Sequence, residues 1–142
     1  MAASLVQYPT FRIADAQLQT NSAALPNAAN TINTNVIDLE TPNTGPFPTN
    51  GRFTVQITST QATGANSKNI NVTVADSADN SSFTNITGVG TLVIAGNSAN
   101  FPATTFNVTL PPATRRYIRV TATGEANGGN ASDGTITGKL LF

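Results

Sequence analysis

Polar and apolar residues alternate along much of this chain, most regularly in its last third. Thr104 to Leu110, Arg116 to Thr123 and Thr135 to Phe142 carry an apolar or small residue at nearly every second position. A period of two sends successive side chains to opposite faces of a pleated strand. Three strands are therefore expected here, with Phe106, Val108, Leu110, Ile118, Val120, Ile136 and Leu140 in one buried layer. Pro111-Pro112 and the Gly/Asn-rich stretch from Gly124 to Asn130 supply the turns between them.

The same grammar extends upstream. Asn35 to Leu39 predicts a short strand closed by the turn cluster Thr41 to Pro46. Arg52 to Thr58 predicts a strand with Phe53, Val55 and Ile57 inward, and Asn69 to Val74 one with Ile70, Val72 and Val74 inward. Ser82 to Thr87 and Thr91 to Ile94 are weaker strands, with Gly88 and Gly90 marking a turn or bulge between them. Residues 1–34 are less regular. Tyr8 to Ile13, including Phe11 and Arg12, reads as a short strand, Asp15 to Gln19 as one helical turn, and Gln19 to Thr34 as a polar extension. The domain reading is an extended N-terminal arm over 1–34, carrying a first strand, followed by a sandwich over 35–142. The alternative for 1–34 is an edge strand plus a surface loop of the same domain. Many short strands with turn signals at intervals of about 8–12 residues, and no sustained helical period, predict an all-β protein. The expected form is an antiparallel β-sandwich of jelly-roll type, about eight strands in two sheets. An immunoglobulin-like sandwich is the runner-up, without that domain's Cys and Trp hallmarks.

Composition narrows the function. A chain of 142 residues, 39% hydrophobic, can bury one core without staples. Charged residues make up only 10%, against about 25% in an average domain, so Thr, Asn and Ser must cover the exterior. Seven basic residues balance seven acidic ones. That removes the broad positive field expected of nucleic-acid or membrane-surface binding, and weak self-repulsion favours association with copies or partners. The absence of His and Cys rules out Ser-His-Asp and Cys-His nucleophile systems and thiolate metal sites within this sequence. The N-terminus shows no basic segment before a sustained apolar run, and no stretch approaches the length of a membrane helix. The expectation is a soluble protein made in a cytoplasm.

The remaining candidates for chemistry read as structure. The carboxylates Asp15, Asp38, Glu40, Asp76, Asp79, Glu125 and Asp133 could in principle pair for glycoside hydrolysis, but most sit beside Gly, Asn or Ser, where Asp bonds to its own backbone in turns. Asp76 to Ser81 resembles a calcium loop only superficially, lacking Gly at the sixth position and Glu at the twelfth; an Asx-type turn is expected. Gly88-Val89-Gly90 opens no helix and precedes no Lys-Ser/Thr pair, so it is not a phosphate cradle. Sequons at Asn71, Asn80, Asn85, Asn107 and Asn130 follow from composition. Arg115, Arg116 and Arg119 form the one basic cluster. Alternation turns Tyr117 and Arg119 away from the Ile118/Val120 face, toward solvent or toward an interface, where Arg and Tyr are over-represented.

The order and spacing of Asn35 to Leu39, Val72 to Phe83, Leu110-Pro111-Pro112 leading to Arg116 to Val120, and Gly134 to Leu140 resemble the small capsid cement, or decoration, proteins of tailed bacteriophages. The resemblance covers roughly residues 35–142. It implies a jelly roll without enzymatic activity; from the residues themselves no cofactor or metal is expected. It also implies a homodimer or homotrimer, made in the host cytoplasm and clamped on the outer surface of the virion's icosahedral head across junctions between major capsid proteins, with no nucleic-acid or membrane partner. No catalytic motif carries over. No contact residue carries over from the resemblance either; the contact set expected from this sequence itself is Tyr8, Phe11, Arg12, Arg115, Arg116, Tyr117 and Arg119. The competing function is a carbohydrate- or receptor-binding sandwich of a viral fibre or spike, which a loop pocket lined by Tyr8 or Tyr117 would favour.

Overall fold

Strand is the regular structure throughout the protein's computed structural model, which describes residues 14–40, 53–65 and 67–141. In chain order the segments are β1 (Ala14–Gln19), β2 (Ala23–Ala24), β3 (Thr31–Asn33), β4 (Ile37–Asp38), β5 (Thr54–Ser59), β6 (Ala62–Thr63), β7 (Asn69–Ser77), β8 (Thr84–Asn85), β9 (Leu92–Ala95), β10 (Asn100–Phe101), β11 (Thr104–Thr109), β12 (Tyr117–Gly124) and β13 (Thr135–Leu141). The expected strand at Tyr8 to Ile13, the turn at Thr41 to Pro46, and the contact candidates Tyr8, Phe11 and Arg12 lie outside the described residues.

Several short segments are interrupted halves of one strand. β1 and β2 both pair with β13, β3 and β4 both with β12, and β8 and β9 both with β7. The β5/β11 ribbon continues past a two-residue break as β6/β10 in unchanged register, from Ser59↔Thr104 to Ala62↔Phe101. Merging these five pairs leaves eight strands. One sheet then runs first, eighth, third, sixth (β1/β2, β13, β5/β6, β10/β11), and the other second, seventh, fourth, fifth (β3/β4, β12, β7, β8/β9), every pairing antiparallel. Two interleaved Greek keys of this order are a jelly-roll β-sandwich.

The core is the layer that alternation predicts. Val55 and Ile57 of β5, Ile70, Val72 and Val74 of β7, Ile118, Val120 and Ala122 of β12, and Ile136 and Leu140 of β13 are all buried. Val108 and Leu110 join them, while Phe106 and Phe53 pack on the margin half-buried. β12 buries every second residue along its length, so its outward side chains, Tyr117, Arg119, Thr121 and Thr123, share the opposite face. Phe101 is buried at one end, its ring against Gly64, where a Cβ would come within 2.6 Å of the ring.

Asp15 to Gln19, expected as a helical turn, lies within β1 instead. β13 offers it a partner, and tertiary pairing overrides a local pattern too short to nucleate a helix. From Ala14 to Thr34 the chain is tied into both sheets. Two buried threonines handle the breaks there. Thr20 donates its N–H to Gly138 O while its Oγ1 accepts from Gly138 N, each at 2.8 Å. Thr34 does the same with Val120, at 2.9 and 3.0 Å. Each side chain completes a ladder that a register slip would leave open. Gly88 and Gly90, both with positive φ, sit in the excursion between β8 and β9, where pairing with β7 shifts register.

Candidate functional site

Charge and aromatic rings converge at one corner of the second sheet, where β7 ends, β8 passes and β12 begins. Antiparallel register sets Ile118 opposite Asp76, Arg119 opposite Ala75 and Tyr117 opposite Ser77, with Asp38 of β4 on the other side of Tyr117. β8 places Thr84 opposite Asp76 and Asn85 opposite Ala75. Residues distant in sequence meet because β12 is flanked by both partners.

Asp76 was expected in a turn but occupies β7 and is 5% exposed. Its Oδ2 accepts the backbone N–H of Arg115 at 2.8 Å, and its Oδ1 accepts Arg115 Nε at 2.9 Å and Nη2 as well. Arg115 Nη2 also donates to the Asp76 carbonyl at 2.8 Å and to Thr84 Oγ1. One carboxylate therefore fixes both the backbone and the side chain where the Pro111-Pro112 loop returns to β12. Beside this pair opens a cleft of about 260 Å³ lined by Asp76, Thr84, Asn85, Ile86, Thr87, Pro111, Ala113 and Arg115. Asp76 is the only carboxylate in the lining and no aromatic ring contributes, so a glycosidase pair is not assembled there.

Arg116 grips Asp38 as a two-pronged fork, Nε to Oδ1 at 2.7 Å and Nη2 to Oδ2 at 2.8 Å, and its guanidinium carbon lies 5.0 Å from the Tyr117 ring centre. That hydrogen bond is the main influence holding the Asp38 carboxyl below its ordinary value of 3.8; burial opposes it, and the Glu40 N–H assists. The same fork pushes Arg116 up. Tyr117 thus carries an arginine on the sheet's outer face, and it is not among the cleft lining.

Arg119 differs. Its guanidinium carbon stacks 4.1 Å from the centre of Phe83, and its Nε is buried without a hydrogen-bond partner. The expectation of a solvent-facing Arg119 holds for direction only: the side chain points outward, yet Phe83 keeps it half-buried. Ala75, on that outward face, is only 3% exposed.

Away from this corner, the outer face of the second sheet is neutral. Thr31 and Thr123 hydroxyls meet at 2.9 Å, Thr121 donates to Asn33 at 2.8 Å, and Thr73 donates to Asn85 at 3.2 Å. Val93 is the one exposed large hydrophobic among the described residues. The Asp79 segment is an Asx-type turn: Oδ1 accepts from Ser81 N and Ser82 N at 2.9 Å and from Ser77 Oγ at 2.8 Å. These bonds, the Ser82 N–H foremost, lower the carboxyl to about 2.

Of the contact candidates, Arg115, Arg116, Tyr117 and Arg119 come together at this corner, though two of the three arginines are already engaged by carboxylates. Asp76, Asp38 and Phe83 complete the set and were not singled out for it from sequence. An acid on the inward phase of the alternation set by Val72 and Val74 was the available signal for Asp76. Nothing local announces Phe83 beneath Arg119, 36 positions away.

A family model named Bbp16 matches residues 13–136, nearly the whole chain, and the protein belongs to the Bbp16 family. No curated protein matches it as a relative.

Proposed function

We propose that this protein is a structural virion component, a decoration protein that binds the outer surface of an icosahedral phage head and stabilises contacts between major capsid proteins. The observation that carries the reading is the combination on one face of the jelly roll: a neutral Thr/Asn ladder ending in a preset corner of Arg116, Tyr117, Arg119 and Phe83. Arg and aromatic side chains held by internal partners lose little entropy on docking, the property that makes interface anchors effective. The resemblance of residues 35–142 to capsid cement proteins points the same way. A rigid sandwich that binds an assembled lattice better than free subunits stabilises the lattice by mass action, and repeated copies add avidity. The role needs no catalysis, and the protein acts as a homodimer or homotrimer.

The test is co-sedimentation of the purified protein with undecorated capsid shells, together with light scattering of the protein alone. Saturable binding and a higher disruption temperature of the shells are expected. A strictly monomeric protein that fails to bind shells sinks the proposal, and specific hits on a glycan array would move it to the fibre or spike class.

A further inference from the structure

We infer that Arg119, stacked on Phe83, is an anchor for a single carboxylate carried by the protein surface that this domain binds. The inference deepens the decoration reading and rests on it for the identity of the partner.

The three arginines of the corner differ in one respect. Arg115 has Asp76 and Arg116 has Asp38, whereas Arg119 has no ion pair among the described residues and buries an Nε with no acceptor. Buried donors are nearly always matched in folded proteins, so an unmatched one calls for a reason. Arg119 is not free to find its own acceptor. The Phe83 ring centre lies 4.1 Å from its guanidinium carbon, and β12 fixes its stem opposite Ala75, a small side chain. The ring covers one side of the guanidinium and Nε is buried, so the edge formed by the two terminal Nη atoms is the route for an incoming acceptor.

The charge around it selects the ligand. Its outward neighbours by register are Tyr117, Ser77, Ala75, Asn85, Thr73 and Thr121, none of them charged. Asp38, the nearest acid by register, is already forked by Arg116. One unmatched cation on a neutral hydroxyl and amide face complements one negative charge. A nucleic acid or an anionic membrane would need several cations in a row, which this face lacks. An Asp or Glu side chain on a protein surface fits, because a carboxylate accepts two parallel N–H bonds from a guanidinium edge.

Two measurements test this. Binding to undecorated shells is compared for wild type, Arg119→Gln and Arg119→Lys across a salt series. Loss of a desolvated charge pair should weaken Arg119→Gln by about thirtyfold or more. Arg119→Lys, which keeps the charge but not the planar fork, should fall between, and the salt dependence should flatten for Arg119→Gln alone. Melting temperatures of both variants should stay near wild type, since no internal carboxylate is orphaned. Separately, the Arg119 Nε–H resonance is followed by NMR while an acetylated, amidated Ala-Asp-Ala tripeptide is added, with Ala-Asn-Ala as control; only the acidic peptide should shift it. Wild-type binding that Arg119→Gln leaves within twofold, or an Nε–H resonance indifferent to the acidic peptide, overturns the inference. Failure of wild type to bind shells while the resonance responds overturns the decoration reading and leaves the carboxylate site standing.

Discussion

Replacing Asp76 by alanine tests whether one carboxylate organises the corner. The side chain of Asp76 is 8% exposed and that of Arg115 36%. Removing one partner of a fully buried pair costs roughly 3–5 kcal/mol, and orphaning a buried backbone N–H costs about 1–3 kcal/mol; that of Arg115 is part-buried. These are not additive here. The Arg115 side chain is more than a third exposed and can turn to water, which removes most of the charge penalty and leaves chiefly the orphaned N–H and the lost ordering of the loop. The net expectation is a loss of about 2–3 kcal/mol. For a chain of this length, about 4 °C per kcal/mol converts this to a fall in Tm of roughly 8–12 °C. Thermal melts followed by far-UV circular dichroism, cross-checked by urea titration with an unchanged m value, measure it. Asp76→Asn should fall between, because an amide oxygen still accepts from Arg115 N while the charge is gone. Asp38→Ala is the internal comparison: its fork with Arg116 is comparably short but lies at the surface, where water replaces it, so its effect should be far smaller. Equal losses for Asp38→Ala and Asp76→Ala, or an Asp76→Ala melt within about 2 °C of wild type, would refute the reasoning.

Other outcomes follow from the same structure. Stability should fall on acidification: Asp38, Asp79 and Asp133 all have folded values below their ordinary 3.8, so their contributions are full above that value and are lost as pH drops through the folded values, to about 2 for Asp79. Melts from pH 7 to pH 2 should show the decline beginning below about pH 5, and Asp79→Asn should make it shallower. Thr34→Val, which keeps the shape but removes the acceptor of the Val120 N–H, should cost about 1–2 kcal/mol by urea titration, with Thr34→Ser close to wild type. Gly96→Ala would bring a Cβ within 2.3 Å of the Ala65 carbonyl oxygen and 2.7 Å of that of Lys68; a loss of about 2 kcal/mol or more is expected, or failure to accumulate as folded protein. Phe101→Ala, emptying a buried aromatic site, should cost about 3–5 kcal/mol.

The core was legible in the sequence wherever a strand was long enough to show its period. Ile70, Val72 and Val74, Ile118 and Val120, and Ile136 and Leu140 declare their inward face by alternation alone, and the boundaries of β11, β12 and β13 fall within two residues of the pattern. The first strands were harder because Thr20 and Thr34 interrupt them with side-chain hydrogen bonds, so no run survives long enough to display a period. Asp15 to Gln19 read as helical for a different reason: its partner β13 lies more than a hundred residues away. At the corner, the arginines were visible as a cluster, but their inequality was not. Whether an arginine is matched depends on Asp76, Asp38 and Phe83 arriving across the sheet, and pairing partners leave no local trace.

The position of β13 also governs how the molecule is made. It is synthesised after every other described strand, yet it lies in the middle of its sheet, between β1 and β5. While the chain is emerging, β1 and β5 have no neighbour to share, and the apolar side of β5, Val55 and Ile57, has only half a surface to cover it. The second sheet can begin earlier, because β7 meets β8 and β9 through short loops. Completion then waits on the most sequence-distant pairing in the fold, the kind of non-local contact that slows folding. A nascent chain stalled before Thr135 displays open strand edges and a half-covered core, the form most exposed to aggregation and proteolysis.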